Sequence, residues 1–156
     1  MGRQHKYQVA VTWTGNRGEG TASYRAYARD HVIEAEGKPP IDGSADPHFH
    51  GDKARWNPEE LLLAALSACH KLSYLHFCAV SGIVVSDYVD HAVGTMEEDG
   101  KDGGRFTEVT LRPRITIQPG GDIALAERLH HIAHEKCFIA SSVNFPVLCE
   151  PQIVTA

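Results

Sequence analysis

Residues 57–79, NPEELLLAALSACHKLSYLHFCA, constrain the chain more than any other stretch. Asn57 is placed to cap a helix, Pro58 stands where the first helical position tolerates proline, and Glu59 and Glu60 meet the positive end of the helix dipole. From Leu61 to Val80 the sequence is apolar nearly all the way round, and Gly82 stops it. A helix of that kind is a central one, buried on more than one side. The remaining elements must supply what covers it.

Those elements read mainly as strands. KYQVAVTW (6–13) alternates and carries β-branched and aromatic residues, which predicts a strand. TGNRGEG (14–20) is a Gly-rich turn, and residues 21–36 return as one or two strands. Residues 37–56 are dense in Gly, Pro and Asp and read as a long loop. Residues 83–98 and 105–118 alternate on either side of the turn-rich DGKDGG, which predicts a β-hairpin. Residues 121–137 have apolar positions at helical spacing, so a second helix follows. The tail reads as a short apolar turn and an edge strand. This order predicts one α+β domain over residues 1–156, with antiparallel sheets wrapped around two central helices. A chain of 156 residues has room for a real core.

Charge and composition narrow the function classes. The net charge of −5 leaves no footprint for nucleic acid or an anionic membrane. No uninterrupted apolar run is long enough to span a bilayer, and MGRQHKYQVAV lacks a signal-peptide core. The expectation is a cytoplasmic protein with neither a nucleic-acid nor a membrane partner. Its four cysteines, Cys69, Cys78, Cys137 and Cys149, form no CxxC pair, so neither a zinc ribbon nor a thioredoxin-type motif is present.

A mid-helix cysteine is most often a small buried hydrophobe. Here Cys69 is followed directly by His70, and Cys137 closes the second helix. If those helices pack side by side, the two thiols reach disulfide distance. In a reducing cell, such a pair is a redox device rather than a staple. Cys78 lies about 180° around the helix from Cys69 and reads as core packing, and Cys149 as a half-buried or exposed strand thiol. A metal reading has to be weighed as well. His130, His134 and Cys137 share one helical face, and Cys69 or His70 would complete a four-ligand set. Compact zinc spacings are missing, and histidines near a helix C-terminus serve the dipole, so the expectation is no metal and no cofactor.

NPEELLLAALSAC closely resembles the central-helix motif of the OsmC/Ohr family, the osmotically inducible protein C and organic hydroperoxide resistance proteins. TGNRGEG resembles the arginine-bearing first turn of the Ohr branch, and HEKCFIASSV matches the place of the second family cysteine. The resemblance implies a thiol peroxidase that reduces organic hydroperoxides, built as an intertwined homodimer with active sites at the subunit interface. It puts Cys69 at the peroxidatic position, Cys137 at the resolving one and Glu59 at the family glutamate. Arg17 matches the Ohr-type arginine, with Arg55 a second candidate because branches of the family draw this arginine from different loops. An external dithiol would complete the cycle.

The residue types suit that chemistry. A peroxide is cleaved by thiolate attack, and a guanidinium lowers a thiol pKa from its free value of about 8.5. Arginine can hold a carboxylate and a peroxide or thiolate together. Along a straight helix, Glu59 and Cys69 lie about 15 Å apart, so an arginine from another loop must bridge them, or the glutamate serves a partner chain. Two departures from the family pattern stand out: His70 where phenylalanine is usual after the first cysteine, and Phe138 where proline is usual after the second. His70 is expected to contact substrate or to pack. The rival readings are a non-catalytic small-ligand-binding or stress-associated dimer of the same fold, and a His/Cys metal-binding protein.

Overall fold

The computed structural model describes residues 2–156, in two compact units that divide between Leu61 and Leu62. The first unit holds an antiparallel sheet of β1 (Ala10–Trp13), β2 (His31–Glu34) and β3 (Ile41–Gly43), in that order. The β1–β2 ladder continues into the turn through Thr14 N–H to the Asp30 carbonyl and Ala28 N–H to the Gly15 carbonyl, each 2.9 Å. Gly15 permits this approach, since a Cβ there would stand 1.9 Å from the Ala28 oxygen. Asn16 Oδ1 accepts from the N–H groups of Gly18 and Gly20 at 2.9 and 3.1 Å, which folds the turn and leaves Arg17 exposed at its tip.

The strand expected from residue 21 begins only at His31. The Arg29 guanidinium explains the delay. It donates to the Tyr27 carbonyl at 2.7 Å and the Tyr24 carbonyl at 2.6 Å, and lies over both tyrosine rings. Those bonds offer the local backbone an alternative to a ladder. The expected loop at 37–56 likewise contains β3 and a 3₁₀ turn at Pro47–Phe49, with Asp46 Oδ1 accepting from His48 N–H at 2.8 Å.

Helix α1 (Pro58–Val80) starts in the last residues of the first unit. Asn57 Oδ1 accepts from Glu60 N–H at 2.8 Å, and Glu60 Oε2 accepts from Asn57 N–H at 3.2 Å. That is a reciprocal capping box. Asn57→Ala should cost about 1 kcal/mol, read as a lower urea midpoint at an unchanged m-value. At the other end Gly82 adopts φ +75°, and Ile83 N–H returns to the Cys78 carbonyl at 2.9 Å.

The second unit contains β4 (Val85–Asp90), β5 (Val93–Glu98), β6 (Gly104–Leu111), β7 (Pro113–Ile117), α2 (Ile123–Lys136), β8 (Val147–Cys149) and β9 (Gln152–Thr155). The predicted hairpin is present, but each of its arms breaks. β5 pairs with β6 in one sheet and β4 with β7 in another, and at the break Asp90 Oδ1 accepts from Arg112 N–H at 2.7 Å. The tail supplies two strands rather than one. β8 joins β6 and β9 joins β7, both parallel, so these sheets are mixed, whereas the sheet of the first unit is wholly antiparallel. The crossover through α2 makes parallel pairing possible.

Tyr74, Cys78, Ile83, Ile115, Ile117, Ala126, Leu129 and Ala133 form one core cluster, and Leu66, Val109 and Leu111 another. Cys78 is thus a packing thiol. Helix α1 buries a single stripe, Leu66, His70, Tyr74 and Cys78, rather than its whole circumference; Leu72 is 63% exposed. By length and composition alone α1 is apolar enough to cross a membrane, which the reading of the uninterrupted runs did not anticipate.

Candidate functional site

Two chemically capable clusters lie in the second unit. The first is the thiol pair. Cys69 is half-buried on α1, and Cys137, 1% exposed, caps the C-terminus of α2. Burial, reinforced by a hydrogen bond with the Cys69 thiol, pushes Cys137 up to about 11. The two thiols therefore interact, and both are free of any disulfide. Ala140 N–H points at Cys137 Sγ from 3.5 Å, and the Cys137 carbonyl accepts from Ser141 N–H and Ser141 Oγ at 3.1 and 3.0 Å. The short turn after α2 thus holds Cys137 in place.

The other residues of the expected catalytic set belong to the first unit. Arg17 is exposed in its turn, and Glu59 stands half-buried in the first turn of α1. Arg55 already faces three carboxylates, with Asp30 at 3.7 Å, Asp42 at 3.6 Å and Asp52 at 4.0 Å. Its Nη1 also donates to the His31 carbonyl at 3.4 Å. A broad cleft of about 840 Å³ in the first unit, lined by Tyr7, Val9, Ile33 and Ile41 among others, contains no cysteine.

The second cluster is built around His70. His70, expected either to contact substrate or to pack, is 1% exposed, and its Nε2 shares a hydrogen bond of 2.9 Å with Nδ1 of His130, itself 3% exposed. Cys149 Sγ lies 3.6 Å from His70 Nε2 and 3.8 Å from His130 Nδ1. The Tyr74 ring stacks on His130 with centroids 3.8 Å apart, and its hydroxyl donates to the Ala126 carbonyl at 3.1 Å. Burial pulls His70 down to about 4, and burial followed by the charge of His70 pulls His130 down to about 3. Burial, with Asp90 and Glu150 nearby, pushes Cys149 up to about 12. Among the described residues, the Tyr88 hydroxyl and His130 Nε2 are buried without a hydrogen-bond partner.

This cluster corrects the grouping of His130 with His134 and Cys137. His134 is exposed and Cys137 meets Cys69, while His130 turns inward to His70. Cys149 was not legible as a site residue. It arrives through the register of β8 on β6, where it pairs with Leu111, and nothing in its neighbouring sequence signals that.

A model of the family described as OsmC-like protein matches residues 50–151, which covers α1, α2, both thiols of the pair and every strand of the second unit except β9. The chain belongs to the OsmC-like family. Among solved structures, this OsmC-like chain is similar to an OsmC-like protein of unknown function from Vibrio cholerae. The two are 34% identical over 95% of this chain and 99% of that one, with a TM-score of 0.86. The fold is shared more distantly with an organic hydroperoxide resistance protein from Legionella pneumophila (20% identity, 96% and 98% of the two chains, TM-score 0.67). It is also shared with one from Elizabethkingia anophelis (19% identity, 99% and 100%, TM-score 0.68). No curated protein matches the OsmC-like chain.

Proposed function

We propose that this OsmC-like chain is a cysteine-based peroxidase that reduces organic hydroperoxides, and possesses some capacity for hydrogen peroxide, as a homodimer in the cytoplasm. The observation that carries the reading is the adjacency of Cys69 and Cys137, one half-buried and the other buried, in a family with members named for hydroperoxide resistance. The more accessible thiol is the one that a bulky peroxide can reach.

In the first step the Cys69 thiolate attacks the distal oxygen of ROOH. The O–O bond breaks, the alkoxide takes a proton and leaves as ROH, and Cys69 becomes a sulfenic acid. In the second, the Cys137 sulfur attacks Cys69 Sγ, forming the disulfide and releasing the hydroxyl as water. An external dithiol returns both cysteines to thiols by exchange. Arg17, oriented by Glu59, stabilises the Cys69 thiolate and the departing oxygen; Arg55 is the second candidate for this work. No cofactor is required.

The test is to mix the fully reduced protein with one equivalent of cumene hydroperoxide, and separately of hydrogen peroxide, and to map the thiols by mass spectrometry. A rapid Cys69–Cys137 disulfide is expected, faster with the organic peroxide. Cys69 left unoxidised at stoichiometric peroxide would remove the proposal.

A further inference from the structure

We infer that His70, His130 and Cys149 form a site for one d-block metal ion of the zinc(II) class, held by two imidazole nitrogens and one thiolate. The three donor atoms stand 2.9, 3.6 and 3.8 Å from one another. The point equidistant from all three lies about 2.0 Å from each, close to the zinc–nitrogen distance and within a few tenths of an ångström of the zinc–sulfur distance. Each donor comes from a different regular element, α1, α2 and β8, so the cluster is held by the scaffold and not by a loop.

The chemistry of the donors agrees with the geometry. Both imidazoles are almost wholly buried, an environment that favours the neutral form with a lone pair on each ring for an ion. Without an ion, the facing nitrogens share a single proton, and Cys149 meets them only at long range. Such a half-satisfied polar group is costly in a core. In a tetrahedral site the two nitrogens stand about 3.3 Å apart, so the rings need to open only a few tenths of an ångström from their hydrogen-bonded spacing. As the metal–sulfur bond forms, the Cys149 thiol gives its proton to solvent, and neither sulfur nor metal changes oxidation state.

Three protein donors leave one coordination position for water or an anion. The site uses neither Cys69 nor Cys137. It therefore stands independently of the peroxidase reading.

The experiment titrates the reduced, chelator-stripped full-length protein with cobalt(II), which reports thiolate ligation through a near-ultraviolet charge-transfer band. One cobalt per chain is expected, displaced by zinc(II). The Cys69→Ser/Cys137→Ser double variant should keep the band, and Cys149→Ser should lose it. In the unmutated protein, zinc at ten times its Kd should slow alkylation of Cys149 about tenfold and leave Cys69 unchanged, a readout that needs no variant to fold. Absence of the band, its loss in the double variant, its persistence in Cys149→Ser, or protection of Cys69 instead of Cys149 would each overturn the inference.

Discussion

Cys137→Ser should rapidly consume about one equivalent of organic hydroperoxide per chain and then cease to turn over, taking up further peroxide only slowly, whereas Cys69→Ser should fall below about 1% of the unmutated rate. The difference follows from which bond each sulfur makes. Cys69 breaks the O–O bond, and without its thiolate no first step exists. Cys137 acts only afterwards, so its loss strands Cys69 as a sulfenic acid that further peroxide drives to the sulfinic and sulfonic states. Mass spectrometry of Cys137→Ser with excess peroxide should show those added oxygens on Cys69.

Burial holds the Cys137 thiol at about 11, so its thiolate is scarce at neutral pH. Disulfide formation in the unmutated protein should therefore quicken as pH rises through 7 to 9, by about tenfold per unit where deprotonation limits it. A pH-independent second step would mean that the thiol loses its proton to a neighbour during attack. Full activity in Cys69→Ser would end the assignment altogether.

Acid should weaken the metal-free protein well before its carboxylates titrate. His70 and His130 sit at about 4 and about 3 when folded, against about 6.5 when unfolded. Between those values the unfolded chain binds more protons than the folded one, so stability falls as pH falls. Each histidine contributes a slope approaching 1.4 kcal/mol per pH unit, roughly, once the pH is well below 6.5. Stability should be level above about pH 7 and decline by on the order of 3–5 kcal/mol by pH 4.5, a large share of what a domain has. Urea midpoints across that range measure it. A flat midpoint would show that both imidazoles protonate freely in the folded state.

The parts of the fold that were legible in the sequence are those decided within a few residues. Asn57 and Pro58 mark the start of α1 because capping is local, and Gly82 marks its end through its positive φ. The DGKDGG turn announces its hairpin in the same way. Residues 21–30 misled because their tyrosines favour strands, and only the folded chain shows Arg29 tying two of those rings to its own backbone bonds. The parallel pairing of β8 and β9 depends on where the chain returns after α2, which no local pattern records.

The same limit governs the sites. His130 stood out by its spacing along α2, yet spacing on one helix cannot say which residues come across to meet it. His70 arrives from α1 and Cys149 from β8, separated from His130 by 60 and 19 positions. The pairing of Cys69 with Cys137 was suggested only weakly by the placing of one thiol on each long helix, and was carried by the resemblance to a family with a cysteine at each position.

The mixed sheets impose an order on folding. β6 and β7 are the central strands of the second unit, yet the third strand of each sheet is made only after the whole of α2. During synthesis the hairpin can form early, because its contacts are near in sequence. It must then wait with one side of each central strand unpaired, Val109, Leu111, Ile115 and Ile117 among the residues uncovered, until β8 and β9 arrive together. The interval between those events is when a nascent chain of this design is most exposed to mispairing with a neighbour, and when a chaperone would have the most to hold.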